Sequence, residues 1–221
     1  MPKISDMALL IHQTKPKPSG FSQSSWLLSI EITGEFIMYR KPLTPFRQGC
    51  LDSLCGVMSC INAISLALEQ EHCLKKADYQ SLFNTIIDDL GERELLTWIV
   101  QNGLGIHVML SLIRLADSWL KETKGWRLKY HRPWVRHANT PALPIMYDEI
   151  KAHATKPSSA VILCISQPMD HWSVIRSIGE NNKAALFDSA GYRTLSLSLD
   201  PNNTSNALIP FGTIFITAYR A

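Results

Sequence analysis

The chain has 221 residues, 46% of them hydrophobic and 19% charged, which places it among ordinary globular proteins and away from disordered ones. A net charge of +3 neither demands nor excludes a polyanionic partner. Five cysteines, an odd number without a C-x-x-C pair, argue against a disulfide framework and against a zinc site, and the chain is long enough to bury a core without either.

The apolar run Met7–Ile11 is too short for a signal-peptide core or a membrane span. The protein therefore reads as cytoplasmic, with export by a specialised secretion system left open. Residues 1–24, rich in Lys, Pro, Ser and Gln, read as a flexible arm ahead of a single domain over 25–221. Trp26–Glu31 and Glu35–Arg40 flank Thr33-Gly34 as a β-hairpin, ended by Pro42 and Pro45.

A helical half is expected over about residues 46–122. From Cys55 to about Leu68, Val57, Ile61, Ile64 and Leu68 recur at helical spacing, and Met58 and Ala63 widen the stripe. A helix apolar nearly all round belongs at the centre of the molecule. Further helices are expected at Tyr79–Leu90, stopped by Gly91, at Glu92–Asn102 and at Ile106–Lys121, with a short one at Tyr147–Ala154.

A sheet half follows over about 126–221. Trp126–Trp134 alternates as a half-buried strand, and strands are expected at Ala160–Ser166, His171–Ile178, Lys183–Asp188, Tyr192–Leu197 and Thr213–Ala218. Helices first and antiparallel strands second indicate an α+β fold. The aromatics of Trp126–Arg136 are interleaved with basic residues and offer a nucleic-acid grip, against the plainer reading of a solvated strand face.

The chemistry is concentrated in Arg47-Gln-Gly-Cys-Leu-Asp-Ser-Leu-Cys55, where a loop turns into the apolar helix. A thiol at a helix N-terminus has its thiolate favoured by the backbone N–H groups and the helix dipole, and the thiolate is the nucleophile. Such a nucleophile needs a base and something to orient the base. Of the seven histidines, His171 alone opens a strand that is followed at once by a hairpin and a second strand ending in an acid. A four-residue loop Gly179–Asn182 would pair Ile178 with Lys183 and Ser173 with Asp188. That register makes Asp188 the diagonal same-face neighbour of His171, close enough for ring and carboxylate to meet. Asp52, Ser53, Asn62 and Trp172 lie beside these residues and read equally well as site-shaping groups or as caps and core.

Gln48-x6-Cys55-Gly56, His171-Trp-Ser-Val-Ile175 and Leu186-Phe-Asp-Ser-Ala-Gly191 together resemble the papain-like cysteine peptidases. The likeness is closest to the bacterial double-glycine leader (bacteriocin-processing) peptidases and their stand-alone relatives. It implies a papain-like fold, with a central nucleophile helix packed on an antiparallel sheet, and a peptide or isopeptide bond cleaved through an acyl-thioester. Cys55 would be the nucleophile, His171 the general base and later acid, and Asp188 the group orienting the imidazole. Gln48 would supply a side-chain donor to an oxyanion hole completed by the Cys55 N–H. The partner would be a protein or peptide substrate; no cofactor and no metal is implied. A glutamine deamidase or transglutaminase-type acyl transferase shares the same first step, and a non-catalytic peptide- or nucleic-acid-binding module is the alternative from another class.

Overall fold

The computed structural model describes residues 28–32, 35–39, 43–47, 53–71, 73–135, 142–166, 170–179, 183–196 and 208–221. The chain divides into two compact units, Met1–Pro42 and Leu43–Ala221. In the first, β1 (Leu28–Ile32) and β2 (Glu35–Tyr39) pair antiparallel, with Ile32 opposite Glu35. The expected hairpin is therefore present, while the expected arm over 1–24 lies outside the described residues.

Among its described residues the second unit carries five helices: α1 (Cys55–Ala67), α2 (Lys76–Glu92), α3 (Leu96–Asn102), α4 (Ile106–Lys124) and α5 (Leu143–Ala154). Its strands are β3 (Trp126–His131), β4 (Ser159–Ile165), β5 (His171–Ile178), β6 (Lys183–Leu186), β7 (Thr194–Ser196) and β8 (Leu208–Arg220). They form one antiparallel sheet in the order β3-β8-β4-β5-β6-β7. The α+β class follows directly from this mixture of helices and antiparallel strands.

The sheet is covered on both faces. Ala160 and Ile162 of β4 pack toward α1, whereas Val161, Leu163 and Ile165 join a second core with Met146 and Ile150 of α5. A central strand buried on both faces is expected to be apolar at consecutive positions, as Ser159–Ile165 is.

Helix α1 is buried along almost its whole length, with Val57, Cys60, Ala63 and Ile64 wholly inaccessible. Val57 and Ile64 each contribute about 1.5–3 kcal/mol relative to exposure. Ser59, Asn62 and Ser65 are buried on the same helix, and each has a partner. Ser59 Oγ donates to the Trp172 carbonyl at 2.8 Å, and Ser65 Oγ donates to Tyr79 Oη at 3.1 Å. Asn62 binds both main-chain groups of Phe46, at 2.8 and 3.3 Å. Buried polar groups are tolerated because they are bonded, and these three orient α1 among its neighbours.

Several element boundaries differ from expectation. Gly91 does not stop α2, which runs to Glu92; the break comes at Glu94, whose φ of 56° is left-handed. Helix α5 starts at Leu143 because Pro144 lies in its first turn, where no N–H is needed. Strand β8 extends well ahead of Thr213. At Gly212 the backbone comes so close to β4 that a Cβ would stand 2.4 Å from Cys164 Cβ, and the β4–β8 register shifts there, between Ile162 and Cys164.

Candidate active site

Cys55 is the first residue of α1, and no side chain caps that helix end. The residue is 6% exposed and lines a cleft. His171 is the first residue of β5, and Asp188 lies just past the end of β6. The structure brings these three together. His171 Nε2 is 2.6 Å from Asp188 Oδ2, with both side chains buried, and Cys55 lines the same cleft as the imidazole and helps to raise its pKa. Because a carboxylate only accepts, Nε2 carries a proton and donates it, which leaves Nδ1 as the nitrogen available to the thiol.

The register that makes this pair differs in detail from the expected one. Ile178 pairs with Ala184 rather than Lys183, so the hairpin loop is one residue longer than four. A bulge between Ile175 and Ser177 then takes up the extra residue, and Ile175 pairs with Leu186. From there the main chain follows the expected register, and Phe187 N–H donates to the Val174 carbonyl at 2.8 Å. Asp188 leaves the ladder and enters a turn.

That turn makes the carboxylate a fixed group. Asp188 Oδ1 accepts the backbone N–H groups of Ala190, Gly191 and Tyr192 at 2.9, 2.9 and 3.1 Å. Burial alone would push the Asp188 carboxyl up, but the bond from His171, the adjacent Ser173 hydroxyl and the backbone N–H of Tyr192 hold it below the usual range. Ser173 Oγ lies beside the carboxylate without meeting full hydrogen-bond geometry. For His171, burial pulls the pKa down, and the bonds to Asp188 and Cys55 outweigh it, raising the value to about 9. Tyr192 stands edge-on to the imidazole, ring centroids 5.3 Å apart.

Gly191 has a φ of 98°, and a Cβ there would stand 2.3 Å from an Arg47 guanidinium nitrogen. The turn thus needs glycine for its left-handed backbone, and a side chain there would also displace the guanidinium packed against it. Arg47 was legible in the sequence only as the residue before Gln48; no spacing signalled its contact with Gly191. Gln48, the expected oxyanion donor, and Asp52 lie outside the described residues. The segment ahead of them is anchored, since Asn62 holds Phe46 as described above.

A second set of contacts fixes β5 against the helices. Trp172 Nε1 donates to the Leu104 carbonyl at 2.7 Å, inside the molecule. Leu104 in turn lies so close to Gly56 that a Cβ on the glycine would be 2.9 Å from Leu104 Cβ. Asn62 and Trp172 are therefore clasps that place the site. Ser53 offers its carbonyl to the Cys55 thiol at 3.9 Å.

The cleft over the thiol has a volume of about 340 Å³, and Cys55, His171, Trp98, Ile106, Cys164 and Phe211 contribute to its lining. Burial pushes the Cys164 and Cys60 thiols up to about 12, which makes them poor nucleophiles. Among the described residues no cluster of three His, Cys, Asp or Glu side chains is placed to hold a metal, and no helix is long and apolar enough to cross a membrane.

The basic segment expected as an alternative nucleic-acid grip is largely committed elsewhere. Trp126 is 4% exposed and covered by the Arg220 guanidinium, 4.8 Å from its ring centroid. Arg127 is held by Asp117 at 2.8 Å, Lys124 by Asp78 at 2.8 Å, and Arg132 binds the Phe211 carbonyl at 2.7 Å. A stacking platform needs aromatic faces open to solvent, and Trp126 offers none. Arg136 lies outside the described residues.

No protein-family model, no curated protein and no solved structure matches this chain.

Proposed function

We propose that the protein is a cysteine peptidase-type thiol hydrolase with a papain-like fold, acting on a protein or peptide through Cys55, His171 and Asp188. The observation that carries this reading is the buried imidazole bonded to the Asp188 carboxylate, 2.6 Å away, in the same cleft that Cys55 lines. Structural ion pairs also raise histidine pKa values, but they do not also share a cleft with a thiol at a helix N-terminus.

In this mechanism the imidazolium, kept protonated by Asp188, pairs with the Cys55 thiolate. The thiolate attacks the scissile carbonyl, and the carbonyl π electrons move to oxygen. The Cys55 N–H stabilises that oxyanion, with the Gln48 side-chain amide as the proposed second donor. Collapse breaks the C–N bond, and His171 gives its proton to the leaving amine. Water, deprotonated by His171, then attacks the thioester and releases a carboxylic acid and the free thiol. Asp188, saturated by four hydrogen-bond donors, keeps the ring oriented throughout.

The test is a peptide library incubated with the wild type and with Cys55→Ala, products being read by mass spectrometry. Cleavage by the wild type alone, at equal unfolding midpoints, is the expected result. Undiminished cleavage by Cys55→Ala would remove the thiol from the chemistry. Ammonia release from glutamine peptides without chain cleavage would transfer the same residues to a deamidase.

A further inference from the structure

A second hollow lies on another side of α1, beneath the stretch that leads into the nucleophile helix. It has a volume of about 260 Å³ and opens between Phe46-Arg47, α1 and the start of α2. Phe46 and Tyr79, ring centroids 4.7 Å apart, form one wall, and Met58, Ile61 and Phe83 contribute further apolar surface. The Tyr79 hydroxyl is already engaged by Ser65, so the wall is chemically quiet.

The lip is cationic. Arg47 and Lys76 both line the hollow, and among the described residues no acidic side chain does. Among the described residues neither cation has an ion-pair or hydrogen-bond partner, whereas nearby Lys124 is neutralised by Asp78 and Arg176 by Glu69. An aromatic hollow with two uncompensated positive charges at its mouth is complementary to an anion carried on an apolar body. A guanidinium fork and an ammonium together suit the two oxygens of a carboxylate. The volume falls just below the roughly 300–1,000 Å³ of sites for drug-sized ligands, so one ring with a short acid arm fits and a larger ligand does not.

We infer that this hollow binds a small aromatic carboxylate, its ring among Phe46, Tyr79 and Phe83 and its carboxylate between Arg47 and Lys76. The site is distinct from the cleft over Cys55, and its existence does not depend on the hydrolytic reading. It is an effector site rather than a substrate site, because Arg47 also packs against Gly191, whose N–H helps to hold Asp188. An occupant that draws on the guanidinium acts on the turn that orients His171.

The probe is 3-phenylpropionate, titrated calorimetrically into the full-length protein and compared with its neutral amide. The acid is expected to bind and the amide to bind roughly tenfold more weakly, the size of one charge-assisted bond. Lys76→Glu should weaken the acid by a similar factor. Equal affinities for acid and amide, or no heat from either, would overturn the site, and that comparison needs no variant. Saturating acid should change the rate at which iodoacetamide alkylates Cys55; an unchanged rate with binding intact would overturn the coupling to the Asp188 turn. Neither readout requires a peptide to be cleaved.

Discussion

Ser59 Oγ donates a 2.8 Å hydrogen bond to the main-chain carbonyl of Trp172, deep inside the molecule. Ser59 lies one turn along α1 from Cys55, and Trp172 adjoins His171, so this bond clasps the helix of the thiol to the strand of the imidazole. Its partners are 113 positions apart in sequence. The relative placement of sulfur and ring is thus a property of tertiary packing.

Replacing Ser59 by Ala is expected to cost about 1 kcal/mol of stability, the usual worth of such a bond. It should also slow the alkylation of Cys55 by iodoacetamide. Ser65→Ala removes a hydroxyl from the same helix, but one bonded to Tyr79, and serves as the comparison. A variant at Ser59 with wild-type urea midpoint and wild-type alkylation rate would show the clasp to be idle.

The pH dependence follows from two shifts of opposite sense. His171 is raised from 6.5 to about 9, so its contribution to stability is fully present below about 6.5 and is lost as pH rises through about 9. Asp188 is lowered from 3.8, so its contribution is present above about 3.8 and is lost as pH falls through its lower folded value. If the imidazolium is the working form, kcat/KM against the best peptide should fall on the alkaline side near pH 9. Asp188→Asn removes the charge that holds the proton and should move that limb to lower pH. A limb that stays in place would assign it to another group.

Gly191→Ala introduces two separable costs. A φ of 98° strains any side chain by about 1–3 kcal/mol, and the new methyl also overlaps the Arg47 guanidinium. In an Arg47→Ala background only the first cost remains. A double-mutant cycle of unfolding free energies should therefore show Gly191→Ala to be milder without Arg47. Equal costs in the two backgrounds would mean that the guanidinium moves aside freely.

Gly56→Ala sets two effects against each other. Alanine in place of a helical glycine ordinarily stabilises by up to about 1 kcal/mol. Here the added methyl meets Leu104 at its Cβ, 2.9 Å away, and Leu104 is held through its carbonyl by Trp172. Overpacking of a buried contact typically costs about 1–3 kcal/mol, so the substitution should lower the thermal midpoint. A raised midpoint would show that Leu104 can retreat.

Much of the architecture could be read from residue patterns, because it rests on local periodicity. The stripe Val57, Ile61, Ile64 reported a buried helix, and the alternation of Trp126, Leu128 and Tyr130 reported a strand with one inward face. The meeting of His171 with Asp188 was legible because side chains on paired strands alternate with period two. What escaped depended on long-range packing or on backbone conformation. The bulge beside Arg176 leaves no mark in composition. Pro210 and Gly212 lie within β8, ahead of the expected start at Thr213, where a bulge and the close approach of Cys164 accommodate them. Arg47 on Gly191 and Trp172 on Leu104 join residues that no spacing connects. The role assigned to Gln48 concerns a residue outside the described set.

The order of strands carries a consequence for biogenesis. Strand β8, the last in sequence, is not at a margin of the sheet but lies between β3 and β4. Until it is inserted, β3 has no neighbour and β4 lacks one of its two. A nascent chain can expose Cys55 long before the scaffold behind His171 is closed. Under the hydrolytic reading, reactivity would then be withheld during synthesis by the topology itself.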